Sequence, residues 1–294
     1  MTALERRYRR LLLTYPRQYR VAHGDELLDV LLESATPGQS APVLREVWGL
    51  LLGGVRTRIT HQATGTAWAD GLHLGVTAVS AVNLAALLPF AGSLPLWTLL
   101  SALALLAIMR GWTRTAFLLT LATGVKAVSI AGGWQPLDLT LLPVYPSPLA
   151  DHPLFETSSP LEVALGYGVA LSGLAVLAWR RHRPRVRSWW WFVAAPVVAW
   201  AGPSLLPADS RLPIGLSKMV VEVVVLGLAV AGAYLARDPR WALASGIYLL
   251  VTSGGLGLHG DELTRQHLAY WGVLLVLTLA TAFAPYRQRR HALD

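Results

Sequence analysis

Two ionisable side chains, Lys126 and Glu222, stand inside stretches that are otherwise free of charge. A charge at the centre of a membrane span costs about 2.5–3.5 kcal/mol on insertion scales, and such residues usually face a bundle interior with a partner. Counted from the nearer ends of their apolar stretches, Lys126 and Glu222 differ in depth by about 5 Å at 1.5 Å per residue. A lysine side chain spans that offset, so the two are expected to form one buried ion pair. Its role stays open between guarding a buried ligand or proton site and simply holding helices together.

A second group, His259, Asp261, Glu262 and His267, with Asp151 and His152, has the residue types that ligate zinc or other divalent cations. Its spacing matches no metal motif, and solvated loop residues are the expected reading. The sequence has no Gly-rich phosphate loop ending in Lys-Ser/Thr and no GxSxG elbow. Gly255, Gly257 and Gly260 spell GxGxxG, but they close an apolar stretch instead of joining a strand to a helix. ATP hydrolysis is not expected, nor is any cofactor, metal or enzymatic activity.

The elements that must position these residues are membrane helices. Of 294 residues, 54% are hydrophobic and 14% charged, where soluble domains carry about 25% charged residues. Mean hydropathy is +0.46. Eight apolar stretches stand out: 71–90, 93–109, 115–133, 163–179, 188–206, 219–236, 241–258 and 268–286. Each approaches the roughly 20 residues that cross a bilayer as a helix. The first begins too deep in the chain for the core of a cleavable signal, so it is expected to stay as a span. Gly168 with Ser172, and Gly227 with Ala231, are small-residue pairs that would allow close helix packing.

Arginine placement gives these spans an expected direction, because positively charged short loops stay cytoplasmic. With the N-terminus inside, 21 of the 25 basic residues fall on the cytoplasmic side, and only Arg211, Lys218 and Arg265 fall outside. A multi-pass protein of the bacterial plasma membrane with both termini cytoplasmic is the expectation. Its one long outer segment is 133–160, with six prolines and no Arg or Lys. Cysteine is absent, which excludes disulfides and thiolate chemistry.

Residues 1–63 are polar and read as three helices ahead of the bundle, 64–294. In the first helix Leu4, Tyr8, Leu11, Leu12 and Tyr15 share one side, with Arg6, Arg7 and Arg10 elsewhere. Pro16 ends it, and a second helix runs to Ser34. After a turn at Thr36–Ser40, with Ser40 as cap, a third helix sets Leu44, Val47, Trp48, Leu51 and Val55 on one face. Nine arginines against six acids is a modest excess that lies on anionic lipid or docks an acidic partner; without a reading helix, direct nucleic-acid binding is not expected.

Residues 5–34, ERRYRRLLLTYPRQYRVAHGDELLDVLLES, carry Tyr8, Leu11–Leu12, Tyr15-Pro16, Tyr19-Arg20, Gly24 and Glu26. In these positions the segment resembles the HAAS-type signalling domain, also described as a permease prefix domain, of actinobacterial membrane proteins. The resemblance covers about a tenth of the chain. It implies signalling context: a cytoplasmic partner such as a PadR-type winged-helix transcription regulator, or a permease served by a separate ATPase. Arg6, Arg7, Tyr8, Arg10, Tyr15, Tyr19 and Arg20 are the expected contacts to that partner or to the membrane surface. The expected protein is all-α, a polytopic bundle behind a small three-helix domain, acting as a non-enzymatic membrane sensor, with a permease-like transport component as the alternative.

Overall fold

The computed structural model describes residues 2–36, 39–62, 66–134, 154–155, 158–180, 184–200, 216–236, 238–258 and 264–290. Among them the chain is all-helical and forms two compact units, 1–65 and 66–294.

The first unit comprises α1 (Ala3–Leu12), α2 (Arg17–Glu33) and α3 (Leu44–Gln62). A reciprocal cap starts α1: Thr2 Oγ1 accepts from the Glu5 amide at 3.2 Å, and Glu5 Oε2 accepts from the Thr2 amide at 3.3 Å. Pro16 caps α2, which runs unbroken through Gly24. Leu4, Tyr8, Leu12, Tyr15, Leu28 and Leu50 form the core. The third helix can approach because Gly53 and Gly54 carry no side chain there. A Cβ on Gly53 would lie 2.4 Å from Tyr15 Oη, and one on Gly54 would lie 2.2 Å from Thr14 Oγ1.

One expectation for α3 needs correction: it starts at Leu44 and not after Ser40, and the Val43 amide donates to Glu46 Oε2 at 3.2 Å. Of the apolar residues expected on one face, Leu44, Trp48 and Val55 are exposed, joined by Leu52, while Val47 and Leu51 are half-buried. Leu50 and the two glycines face the core instead. An apolar stripe on a helix says that one face is covered, not by what.

The second unit holds α4 (Ala67–Leu87, extended by a 3₁₀ turn Leu88–Phe90), α5 (Pro95–Met109), α6 (Thr113–Ala131), α7 (Pro160–Trp179), α8 (Trp190–Trp200), α9 (Leu216–Ala236), α10 (Arg240–Leu258) and α11 (Arg265–Arg290). A helix occupies each of the eight apolar stretches. Five segments are long and apolar enough to cross a membrane: Ala67–Phe90, Thr113–Ala131, Pro160–Trp179, Lys218–Ala236 and Arg265–Pro285. Pro95–Met109 and Trp190–Ala199 are apolar but shorter. Outward-facing Leu99, Leu118, Val176, Leu228, Leu250, Val276 and Phe283 give the unit an apolar exterior, which a bilayer covers and water does not.

The centre of this unit is α4. Two thirds (67%) of its apolar window is buried, against 22–39% for the other four, and α5, α7, α8 and α10 all pack on it. Glycines set the closest approaches. A Cβ on Gly71 would meet the Arg240 carbonyl oxygen at 2.7 Å, and one on Gly75 would meet Ile247 Cδ1 at 2.6 Å. The small residues singled out from sequence behave differently: Gly168 and Gly227 have open space where a Cβ would stand. Small-residue spacing marks a permissive face, and only the neighbour's backbone decides whether it is used.

Candidate functional site

Glu222 lies six residues into α9, about 9 Å along the axis from its start, and is buried. Two tyrosines hold its carboxylate. Tyr248 Oη of α10 donates to Oε1 at 2.6 Å, and Tyr270 Oη of α11 donates to Oε2. Leu226 and Leu274 are buried beside them, with Met219, Leu249 and Leu277 packed around. The carboxylate therefore joins three helices through hydrogen bonds inside an apolar cluster.

Lys126 is buried on α6, with its ammonium 5.9 Å from the centre of the Trp97 ring of α5, a cation–π contact. The expected Lys126–Glu222 ion pair is not formed, because the helices that carry them have different neighbours. The main neighbours of α6 are α5 and α7, and those of α9 are α10 and α11. Matching depth along the axis put the two at one level; it carried no information on which helices are adjacent.

The densest set of charges lies where the sequence raised no expectation of a site. Asp70, in the first turn of α4, receives Arg187 Nη2 at 2.6 Å on Oδ1 and Arg240 Nη1 at 2.7 Å on Oδ2. Arg240 Nη2 also reaches Asp238 Oδ2 at 2.8 Å. Arg187 Nε donates to His73 Nδ1 at 3.1 Å, and His73 Nε2 lies 2.8 Å from the Ile108 carbonyl oxygen. A carbonyl only accepts and a guanidinium only donates, so His73 carries its hydrogen on Nε2. The Arg187 amide donates to the Met109 carbonyl at 2.8 Å. Among the described residues Asp70 and Asp238 offset the two guanidiniums they touch, which helps charges persist with so little water. The starts of α4 and α10, the end of α5 and the segment before α8 are thereby fastened at one end of the unit. The available signal was the presence of Asp70, Arg187 and Arg240 each at the head of an apolar stretch, with His73 one turn after Asp70.

In the first unit Arg6, Arg7 and Arg10 are exposed, while Tyr8 and Tyr15 are buried. These tyrosines are core residues and not contacts to a partner, which corrects the expectation for both. Tyr8 Oη donates to Glu46 Oε2 at 2.6 Å. Tyr19 and Arg20 are half-buried, with Tyr19 stacked on Tyr15 at 5.3 Å between ring centres.

Of the expected metal-type cluster, His259, Asp261 and Glu262, like Asp151 and His152, lie outside the described residues. His267 Nδ1 accepts from the Thr264 amide at 3.2 Å. Among the described residues no group of three or more His, Cys, Asp or Glu could hold a metal ion. No family model matches the chain, and no curated protein and no solved structure is similar to it.

Proposed function

We propose that this chain is a non-enzymatic sensor of the bacterial plasma membrane, whose bundle perceives an envelope condition and whose N-terminal unit relays it to a cytoplasmic partner such as a PadR-type transcription regulator. The observation that carries the reading is the division into two units, the first with its own core and with Arg6, Arg7, Arg10 and the Trp48 stripe left outward. A separate small domain with a basic and apolar surface suits docking to another protein, and the resemblance of residues 5–34 to HAAS-type domains points the same way.

Eight spans belong to this reading. The Asp70 network groups helix ends as strict alternation demands, and the same end carries Arg110, Arg114, Arg180, Arg185 and Arg187, the charge bias of a cytoplasmic face. The permease reading drew on the Lys126–Glu222 pair, and without that pair it retains only the prefix resemblance.

Cross-linking in intact cells followed by purification of the tagged full-length chain tests the proposal. A winged-helix regulator is expected, and its capture is expected to fall when Arg6, Arg7 and Arg10 are all changed to Glu. Capture of an ATPase in its place overturns the sensor reading in favour of the permease one.

A further inference from the structure

We propose that Glu222 is a proton-binding site, whose ionised form accepts from tyrosines of both α10 and α11 and whose protonated form loses one of those two donated bonds. The inference deepens the sensor reading and rests on it for one point, that the site lies in the outer half of the membrane and takes its proton from outside.

The argument starts from donors and acceptors. An ionised carboxylate only accepts, and here each oxygen accepts from a tyrosine of a different helix. A carboxylic acid has one O–H of its own to place and a hydroxyl oxygen that accepts poorly. On protonation one of the two tyrosines must turn its hydrogen elsewhere or accept instead. The protonation state of one atom pair is thus written into the pairing of three helices.

The surroundings make protonation of this residue matter. Among the described residues no ion pair reaches Glu222, and the titratable groups facing it from the two helices packed on α9 are the two tyrosines. Arg240 of α10 stands eight residues before Tyr248, about 12 Å away along the axis, and is engaged by Asp70 and Asp238. On α11, Arg265 is exposed and His267 bonds Thr264; Arg287, Arg289 and Arg290 follow Tyr270 by seventeen residues or more. On α9 itself Lys218 is exposed one turn earlier. Among the described residues this buried carboxylate is held by tyrosine donors and by no ion-pair partner.

The packing selects the ligand. Both carboxylate oxygens are occupied at hydrogen-bond distance, Glu222 is buried, and the two tyrosines belong to an apolar cluster with Leu226, Leu274 and Met219. A proton needs no added volume, whereas a metal ion or an amine would have to displace a tyrosine. The chemistry is simple transfer: a solvent proton adds to one Glu222 oxygen, no covalent bond breaks and nothing is oxidised. Because α10 is fastened to α4 through Arg240 and through the close approaches of Gly71 and Gly75, the loosened element is α9.

Infrared difference spectroscopy on the full-length protein in lipid nanodiscs, stepped across the range in which carboxylic acids and histidines titrate, tests the proposal. A reversible carboxylic C=O band is expected on acidification in wild type and is expected to vanish in E222Q. Tyr270→Phe keeps the carboxyl group and removes one donor, so its band is expected to differ from that of wild type along the pH series. A band unchanged in E222Q, or a Tyr270→Phe titration identical to wild type, overturns the site. A missing band in a protein that still captures its regulator removes the proton site and leaves the sensor reading standing. A normal band without a regulator does the reverse.

Discussion

Asp70 and Arg240, 170 residues apart, meet at 2.7 Å, and Arg187 meets the other oxygen of the same carboxylate at 2.6 Å. One anion therefore serves two cations, one from the start of α10 and one from the segment before α8. Such an arrangement adds little stability over apolar packing, yet removing one member is costly because the others stay buried and uncompensated.

Asp70→Asn is accordingly expected to cost about 3–5 kcal/mol, read as a lowered midpoint of thermal unfolding in nanodiscs. Arg187→Met should cost less, since Asp70 keeps Arg240. In the double variant Asp70→Asn with Arg187→Met the charge balance returns, and the combined loss should fall short of the sum of the single losses. Additive losses would contradict a shared network.

The helices and their order were legible in the sequence, with limits displaced by a few residues, because apolar length reports directly on solvent. Contacts between elements were not. Lys126 and Glu222 were matched by depth, which fixes one of three coordinates, whereas Arg187 and Arg240 entered only the count of basic residues and Asp70 was not singled out. The outward face of α3 shows the same limit: the apolar stripe was visible, but the side on which the core lies depended on the glycines at 53 and 54. Leu50→Ala, at the buried position, is expected to cost about 2–5 kcal/mol, and Trp48→Gln, on the outward stripe, within ~0.5 kcal/mol. Amide exchange in residues 1–65 would measure both, and the reverse ranking would place the Trp48 stripe in the core.

Tyr8 supplies a pH dependence. Burial first, then the hydrogen bond to Glu46 and its charge, push the Tyr8 hydroxyl up from 10.0 to about 12. The fold prefers the protonated phenol, so this contribution is complete below the unfolded value near pH 10 and is lost as pH rises toward the folded value of about 12. Alkaline difference absorbance should show one late-titrating tyrosine fewer in Tyr8→Phe. A Tyr8→Phe curve that loses an early-titrating tyrosine instead would rule out the raised value.

Close approach of α4 and α10 gives a steric prediction. Gly71→Ala places a methyl group 2.7 Å from the Arg240 carbonyl oxygen, a backbone atom that cannot swing away. Overpacking of this kind costs about 1–3 kcal/mol and should also weaken the Asp70–Arg240 bridge next to it. Gly168→Ala and Gly227→Ala meet open space, and replacing helical glycine should leave stability unchanged or raise it by up to ~1 kcal/mol. Thermal unfolding of the three variants side by side checks the ranking, and equal losses would refute it.

Alternation of all eight helices predicts which surfaces share a side of the membrane. The chain has no cysteine, so a single introduced thiol reports alone. Trp112 and Val186, both exposed near the Asp70 network, belong with Asp29 of the first unit on the cytoplasmic side. Gly92, exposed in the turn after α4, Trp134 after α6 and Thr264 before α11 belong outside. If only the five segments that are long and apolar enough crossed, α5 would not, and positions 92 and 112 would lie on the same side. Labelling of Gly92→Cys and Trp112→Cys by an impermeant maleimide on intact cells and on inverted vesicles separates the two arrangements. Opposite accessibility supports eight crossings; matching accessibility removes α5 from the membrane, and with it the inside placement of both termini.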